Sequence, residues 1–246
     1  MFQVIVYGTL AGIIGTLLGG IISAVLGKKD NMVSLLFCVA AGVMLAIVFF
    51  DLIPEALKSS NLLTVSLSIV AGVIVVIVLD IIINIKGPQF ISPDAEVRHK
   101  NEMAKAGFLM MMAIAMHNLP EGLVIGSSEV ADKGLLMAIL IGLHNIPEGI
   151  AVASPLIAGG MSKKKAVLIT GATGAPTLIG AIIGYLIGIQ SPSFVAISLG
   201  LAAGAMLCII FSDMIPEAIK LDGTKKTGYA TVGSLIIGMI VIIALT

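Results

Sequence analysis

Ala40-Ala41-Gly42-Val43-Met44-Leu45-Ala46-Ile47-Val48-Phe49-Phe50-Asp51-Leu52-Ile53-Pro54-Glu55-Ala56-Leu57-Lys58 recurs 162 residues later as Ala202-Ala203-Gly204-Ala205-Met206-Leu207-Cys208-Ile209-Ile210-Phe211-Ser212-Asp213-Met214-Ile215-Pro216-Glu217-Ala218-Ile219-Lys220. Thirteen of the nineteen positions are identical, including the Asp, Pro, Glu and Lys that punctuate the apolar run. Shared hydrophobicity alone does not reproduce that punctuation. Each copy sits in an apolar run long enough to cross a bilayer, whose hydrocarbon core takes about 20 residues of helix.

The surrounding sequence has the same character. Hydrophobic residues make up 58% of the chain, charged residues 11%, and the mean hydropathy is +1.14. A water-soluble domain does not cover itself with so few charges, so the lipid bilayer is an expected partner. Apolar runs fall at about 4–26, 34–57, 62–85, 106–128, 134–158, 165–189, 194–219 and 227–246. They read as helices, because unpaired backbone groups cannot face lipid. Gly12, Gly15, Gly19 and Gly20 in the first run suit close helix contacts. The predicted fold is an all-α membrane protein of eight spans, forming one polytopic domain over 1–246.

Basic residues orient the spans. With the N-terminus outside, the inner loops carry Lys28 and Lys29; Lys86, Arg98, Lys100 and Lys105; Lys163, Lys164 and Lys165; and Lys220, Lys225 and Lys226. Those are 12 of the 14 basic residues, and only Lys58 and Lys133 remain outside. By the positive-inside rule the protein is a multi-pass protein of the cell membrane with both termini on the non-cytoplasmic side. The N-terminal Met1-Phe2-Gln3-Val4 lacks the charged region of a cleaved signal, so the first span is expected to be retained. Residues 86–105, with Pro88 and Pro93, read as a mobile cytoplasmic loop around a solvated His99. In this topology the two copies of the repeat are the second and seventh spans and run in opposite directions. An inverted repeat of spans 1–3 and 6–8 around a hairpin of spans 4 and 5 follows, a layout of secondary transporters with midplane sites.

The central hairpin carries a second duplication, His117-Asn118-Leu119-Pro120-Glu121-Gly122 and His144-Asn145-Ile146-Pro147-Glu148-Gly149. A charged side chain at the centre of a membrane helix costs about 2.5–3.5 kcal/mol on insertion scales and usually faces a partner, cavity or ion. His and Glu four residues apart share a helix face. Two such helices facing each other bring together His117, Glu121, His144 and Glu148, with the amide oxygens of Asn118 and Asn145 alongside. Pro120 and Pro147 donate no backbone hydrogen bond, which frees the carbonyls of Met116 and Leu143 and kinks each helix. Imidazole with carboxylate suits Zn²⁺, and also Fe²⁺, Mn²⁺, Co²⁺ or Cd²⁺.

The other features exclude or add. Cys38 and Cys208 lie in apolar runs and read as buried small hydrophobes rather than a disulfide or a thiolate site. Met110, Met111, Met112 and Met116 read as packing residues. No basic cluster with interleaved aromatics points to nucleic acid. No Gly-rich phosphate loop points to ATP hydrolysis. Asp51 and Glu55 near the outer face, and Asp213 and Glu217 near the inner face, are candidate ion-pathway residues at the two mouths. The alternative reading makes these acids headgroup-region markers of helix ends, partnered by Lys58 and Lys220.

With these residues in view, the chain resembles the ZIP (Zrt/Irt-like) family of divalent metal transporters over essentially its whole length. The resemblance implies movement of Zn²⁺ or a related ion toward the cytoplasm by a carrier-type mechanism, through a site between spans 4 and 5. The ion is then the transported substrate, and no resident cofactor is expected. It further implies His117, Glu121, His144 and Glu148 as primary ligands and Asn118 and Asn145 as ligands of an adjacent site. Family members often place a glutamate in span 6 just before a proline; here Thr173-Gly174-Ala175-Pro176 has Ala175. One well-occupied ion site is therefore expected. A membrane-embedded zinc hydrolase is the alternative, although His-Glu-x-x-His is missing. A metal-gated receptor or structural protein is a third class, and a homodimer is one candidate oligomeric state.

Overall fold

The computed structural model describes residues 1–26, 30–86, 94–129, 134–187 and 192–245. Among the described residues every regular element is a helix. Eight of these helices are long and apolar enough to cross a membrane. They are span 1 (Phe2–Leu26), span 2 (Asn31–Ser59), span 3 (Leu62–Ile82), span 4 (Glu96–Gly126), span 5 (Met137–Ala158), span 6 (Lys163–Leu186), span 7 (Pro192–Leu221) and span 8 (Lys225–Ala244).

The main departure from the sequence reading lies before span 4. The helix that carries it runs from Ala95 to Glu129, so residues 95–105 are helical rather than a loop. The cause is local. The Asp94 carboxylate accepts hydrogen bonds from the Glu96 and Val97 backbone N–H groups at 2.8 and 3.3 Å, an N-cap arrangement. One turn on, Lys100 pairs with Glu96 at 2.6 Å in the favourable i, i+4 order. Pro88 and Pro93 lie outside the described residues.

Spans 2 and 7 share a backbone irregularity. Each widens into a π-helical turn, Val48–Leu52 in span 2 and Ile210–Met214 in span 7, and resumes as α-helix at Ile53 and Ile215. These turns are 162 residues apart, like the repeat itself. Pro54 and Pro216 follow directly. Without an N–H, and with a ring that crowds the carbonyl four residues back, each proline disfavours a regular α-turn, and the wider turn accommodates it. Asp51 and Asp213 sit in the widened turns.

The spans pack in two groups. Span 4 lies along the second half of span 6, and span 5 lies along span 1, with spans 4 and 5 in contact. Span 2 lies along span 8, and span 3 along span 7. Exchanging 1 with 6, 2 with 7, 3 with 8 and 4 with 5 carries the pairing 4–6 into 5–1 and 2–8 into 7–3, and leaves 4–5 unchanged. The groups meet where span 2 touches span 5 and span 7 touches span 4. One buried apolar cluster bridges that seam, with Ala40 and Met44, Ala113 and Ile114, Ile150 and Ala151, and Ala202 and Met206 as members.

Candidate metal centre

Spans 1 and 6 are interrupted at the same depth. Span 1 passes through a π-helical stretch at Thr9–Ile14. Span 6 breaks at Gly174, where the helix Lys163–Thr173 ends and Ala175–Ile187 begins. Gly12 and Gly174 hold the two spans together there. A Cβ on Gly12 would lie 2.3 Å from the Gly174 carbonyl oxygen, and one on Gly174 would lie 2.2 Å from that of Gly12. Only a residue without a side chain permits that approach.

These irregularities expose two backbone carbonyls, and the motif asparagines take them. Asn118 donates its amide N–H to the Thr173 carbonyl at 2.8 Å, and Asn145 donates to the Ala11 carbonyl at 2.9 Å. Ala11 and Thr173 are again 162 residues apart. Because the amide nitrogens are held by backbone, both Oδ1 atoms are left buried without a hydrogen-bond partner. A buried carbonyl oxygen without a partner is costly in an apolar interior. A cation beside them is one way to satisfy both.

The motif glycines bring the hairpin against the same spans. A Cβ on Gly122 would stand 2.0 Å from the Thr177 carbonyl of span 6, and one on Gly149 would stand 2.1 Å from the Thr16 carbonyl of span 1. The helices run without interruption through Pro120 and Pro147.

Where spans 4 and 5 meet, the candidate ligand side chains come together. His117 Nε2 lies 2.8 Å from Glu148 Oε1 and 4.0 Å from Glu121 Oε1. None of the three residues is more than 3% exposed. One ligand atom from each lies within 4.8 Å of the others. Zn–N and Zn–O bonds near 2.0–2.2 Å at a tetrahedral angle put ligand atoms about 3.3 Å apart. The observed separations bracket that value, so small rotations suffice to take an ion. The side chain of His144 lies outside the described residues; its backbone is helical, one turn before Glu148. His117 also lines a cavity of about 120 Å³ at the seam, between Gly72 and Val76 of span 3 and Leu201 and Ala205 of span 7. Met112 and Met116 are both exposed, and Met116 borders the same cavity as His117.

The four candidate pathway acids differ from one another. Glu55 is exposed and pairs with Lys58 at 2.9 Å. Its repeat mate Glu217 is buried, 7% exposed, and pairs with Lys220 at the same distance. Asp51 and Asp213 are partly buried, and the Ser212 hydroxyl donates to Asp213 at 2.6 Å. Both lysine partners of the alternative reading are thus in place, but only the Glu55–Lys58 pair has both members solvent-exposed. Two features escape a reading of the motifs alone. One is the break at Gly174, which the run Gly171-Ala172-Thr173-Gly174-Ala175-Pro176 signals in retrospect. The other is the gathering of Asp80 and Glu102 beside Asp213 and Glu217, which no local pattern announces.

Comparison with known proteins agrees with this geometry. The family model described as ZIP Zinc transporter matches residues 86–246. Three relatives named Zinc transporter ZupT align over nearly the whole chain. That of Enterobacter sp. (strain 638) is 28% identical over 92% of this chain and 92% of its own length. That of Salmonella arizonae is 29% identical over 96% and 93%. That of Chlorobium chlorochromatii is 28% identical over 98% and 94%.

Proposed function

Because this chain belongs to the ZIP zinc transporter family, we propose that it carries zinc or a related divalent cation across the membrane toward the cytoplasm, with His117, Glu121, His144 and Glu148 holding the ion in transit. The observation that carries this reading is the convergence of one imidazole and two carboxylates, all buried, inside an eight-span bundle. Asn118 and Asn145 present neutral oxygens beside it, and Ala175 contributes no ligand. A second dication there would meet like-charge repulsion that only Glu121 and Glu148 could offset, so one ion per chain is the expected occupancy. The family and the curated relatives are transporters, and a hydrolase reading has no support from them.

A carrier mechanism is supported by where the spans are tied together. Side-chain hydrogen bonds join span 4 to span 6 and span 5 to span 1 through the asparagines. Ser23 of span 1 lies 3.0 Å from the Ser154 hydroxyl of span 5, and Lys163 of span 6 donates to the Ala24 carbonyl of span 1. In the other group Ser34 of span 2 donates to the Ala218 carbonyl of span 7, and Ser234 of span 8 to the Cys38 carbonyl of span 2. These bonds all fall within one group or the other, while the seam between the groups is packed with small and aliphatic side chains. Away from the charged cavity lined by Asp80, Glu102, Asp213 and Glu217, such a seam slides with few oriented polar contacts to break. We read spans 1, 4, 5 and 6 as the ion-bearing unit that shifts against spans 2, 3, 7 and 8.

The experiment is radiotracer zinc uptake into liposomes that contain only this protein and no nucleotide. Uptake is expected to follow the imposed gradient. A strict requirement for ATP would reject the reading.

Orientation is tested separately. The 12-to-2 basic asymmetry puts both termini outside. In cells expressing Ser59→Cys or Ser162→Cys in a background with Cys38 and Cys208 replaced, an impermeant thiol reagent is expected to label only the former. The reverse pattern would invert the topology and, with it, the direction of transport.

A further inference from the structure

At the end of the bundle that the basic loops mark as cytoplasmic, span 4 meets spans 3 and 7 around a cavity of about 180 Å³. Four carboxylates line it, Asp80 of span 3, Glu102 of span 4, and Asp213 and Glu217 of span 7, together with Lys105 and Lys220. Glu217 sets this apart from an ordinary acidic surface. It is 93% buried, since only 7% of it is exposed. Its Oε2 accepts from Lys220 at 2.9 Å, and its Oε1 is buried without a hydrogen-bond partner. The Lys220 side chain is itself 64% exposed. Its ammonium therefore reaches in from water on a flexible stem to meet a carboxylate that is almost wholly buried.

We propose that Lys220 is a tethered competitor for the transported ion, filling at Glu217 the place that a departing dication takes and so driving its release. This rests on the transport reading above, in which these acids line the inner mouth. Four carboxylates around one cavity would hold a divalent cation strongly, and a carrier that retained its cargo at the exit would stall. A lysine is a compact cation on a long stem. Tethered three residues from Glu217, it competes at the high effective concentration of an intramolecular partner. An arriving ion displaces the ammonium into solvent, where exposure keeps the cost low. The returning ammonium then displaces the ion. Glu102 makes the cavity sensitive to which way span 4 stands, because it is the carboxylate contributed by the ion-bearing group. The outer copy lacks this enclosure: Glu55 and Lys58 have side chains 49% and 73% exposed, so Lys58 has little to compete for.

The test is Cd²⁺ titration of the full-length protein by calorimetry, in a His117→Ala/Glu148→Ala background that removes the central site. Lys220→Met is expected to tighten the remaining binding by about tenfold, the scale of removing one cation a few ångströms from a dication in a partly wet site. Lys220→Arg keeps the charge and should leave the affinity weak. Adding Glu217→Gln to Lys220→Met should abolish the gain. In the otherwise unmodified chain, Lys220→Met should make uptake more easily inhibited by Cd²⁺ loaded inside the liposomes. An affinity within twofold of the parent for Lys220→Met, or tightening by Lys220→Arg equal to that by Lys220→Met, would overturn the proposal. Full zinc uptake by the His117→Ala/Glu148→Ala protein is a different failure, that of the central site.

Discussion

Glu148→Ala is expected to abolish high-affinity metal binding and to reduce uptake to the level of protein-free liposomes, while the protein still folds. Glu148 is fully buried and its Oε1 lies 2.8 Å from His117 Nε2, so its carboxylate stands at the centre of the candidate ligand set. Changing groups that merely support metal ligands typically costs 10–100-fold in affinity, and loss of a ligand should exceed about 100-fold. His117→Ala should be as damaging to binding but worse for stability. It removes the base between Glu121 and Glu148 and leaves two buried carboxylates to face each other, and a buried charge that loses its partner costs about 3–5 kcal/mol. Glu148→Ala instead removes one of the charges. The thermal stabilities should therefore rank wild type, then Glu148→Ala, then His117→Ala. Calorimetric titration of wild-type protein with Cd²⁺ should give one tight equivalent per chain, and both variants none. Tight binding or wild-type uptake in either variant, at equal expression, would place the transport site elsewhere.

Gly149→Ala and Gly122→Ala should do comparable harm without touching a ligand. The added methyl would begin 2.1 Å from the Thr16 carbonyl oxygen in one case and 2.0 Å from that of Thr177 in the other. Ordinary contact needs more than 3.4 Å, and the atom met is backbone, so the spans themselves must part. Overpacking of this kind costs about 1–3 kcal/mol. The displacement also pulls Asn145 from the Ala11 carbonyl and Asn118 from the Thr173 carbonyl, because those bonds cross the same two contacts. Lower melting temperature and weakened metal binding are expected together. Gly228→Ala and Gly233→Ala in span 8 are the comparison, since a Cβ at either position meets nothing within 4 Å. Alanine is the better helix former by about 0.5–1 kcal/mol, so these two should melt at or above the wild-type temperature. If Gly149→Ala melts with them, spans 1 and 5 are not as close as described.

Much of this protein can be read from its sequence because the bilayer leaves few choices. A run such as Leu62–Ile82 has to be a helix, since nothing in hydrocarbon would satisfy its backbone otherwise. The His-x-x-x-Glu spacing in spans 4 and 5 puts two candidate ligands on one helix face whatever the neighbours do. The repeat at 40–58 and 202–220 forecasts matched irregularities, and matched π-turns stand before Pro54 and Pro216. Helical order before span 4 was open to a similar local reading, through the Asp94 cap and the Glu96–Lys100 pair.

What tertiary structure decided concerns contacts between residues far apart in the chain. That His117 lies against Glu148 rather than its own helix neighbour Glu121 depends on how spans 4 and 5 cross. That the asparagine oxygens are left buried without partners depends on the carbonyls of Ala11 and Thr173, which take the amide N–H groups where spans 1 and 6 are irregular. The identical pairs Glu55–Lys58 and Glu217–Lys220 have the same local geometry, yet one is open to solvent and the other encloses a buried carboxylate. Sequence determines periodicity and local hydrogen bonding, which act over a turn or two of helix. Burial is decided by which helices pack against which, and here that separates the exposed pair Glu55–Lys58 from the buried carboxylate of Glu217.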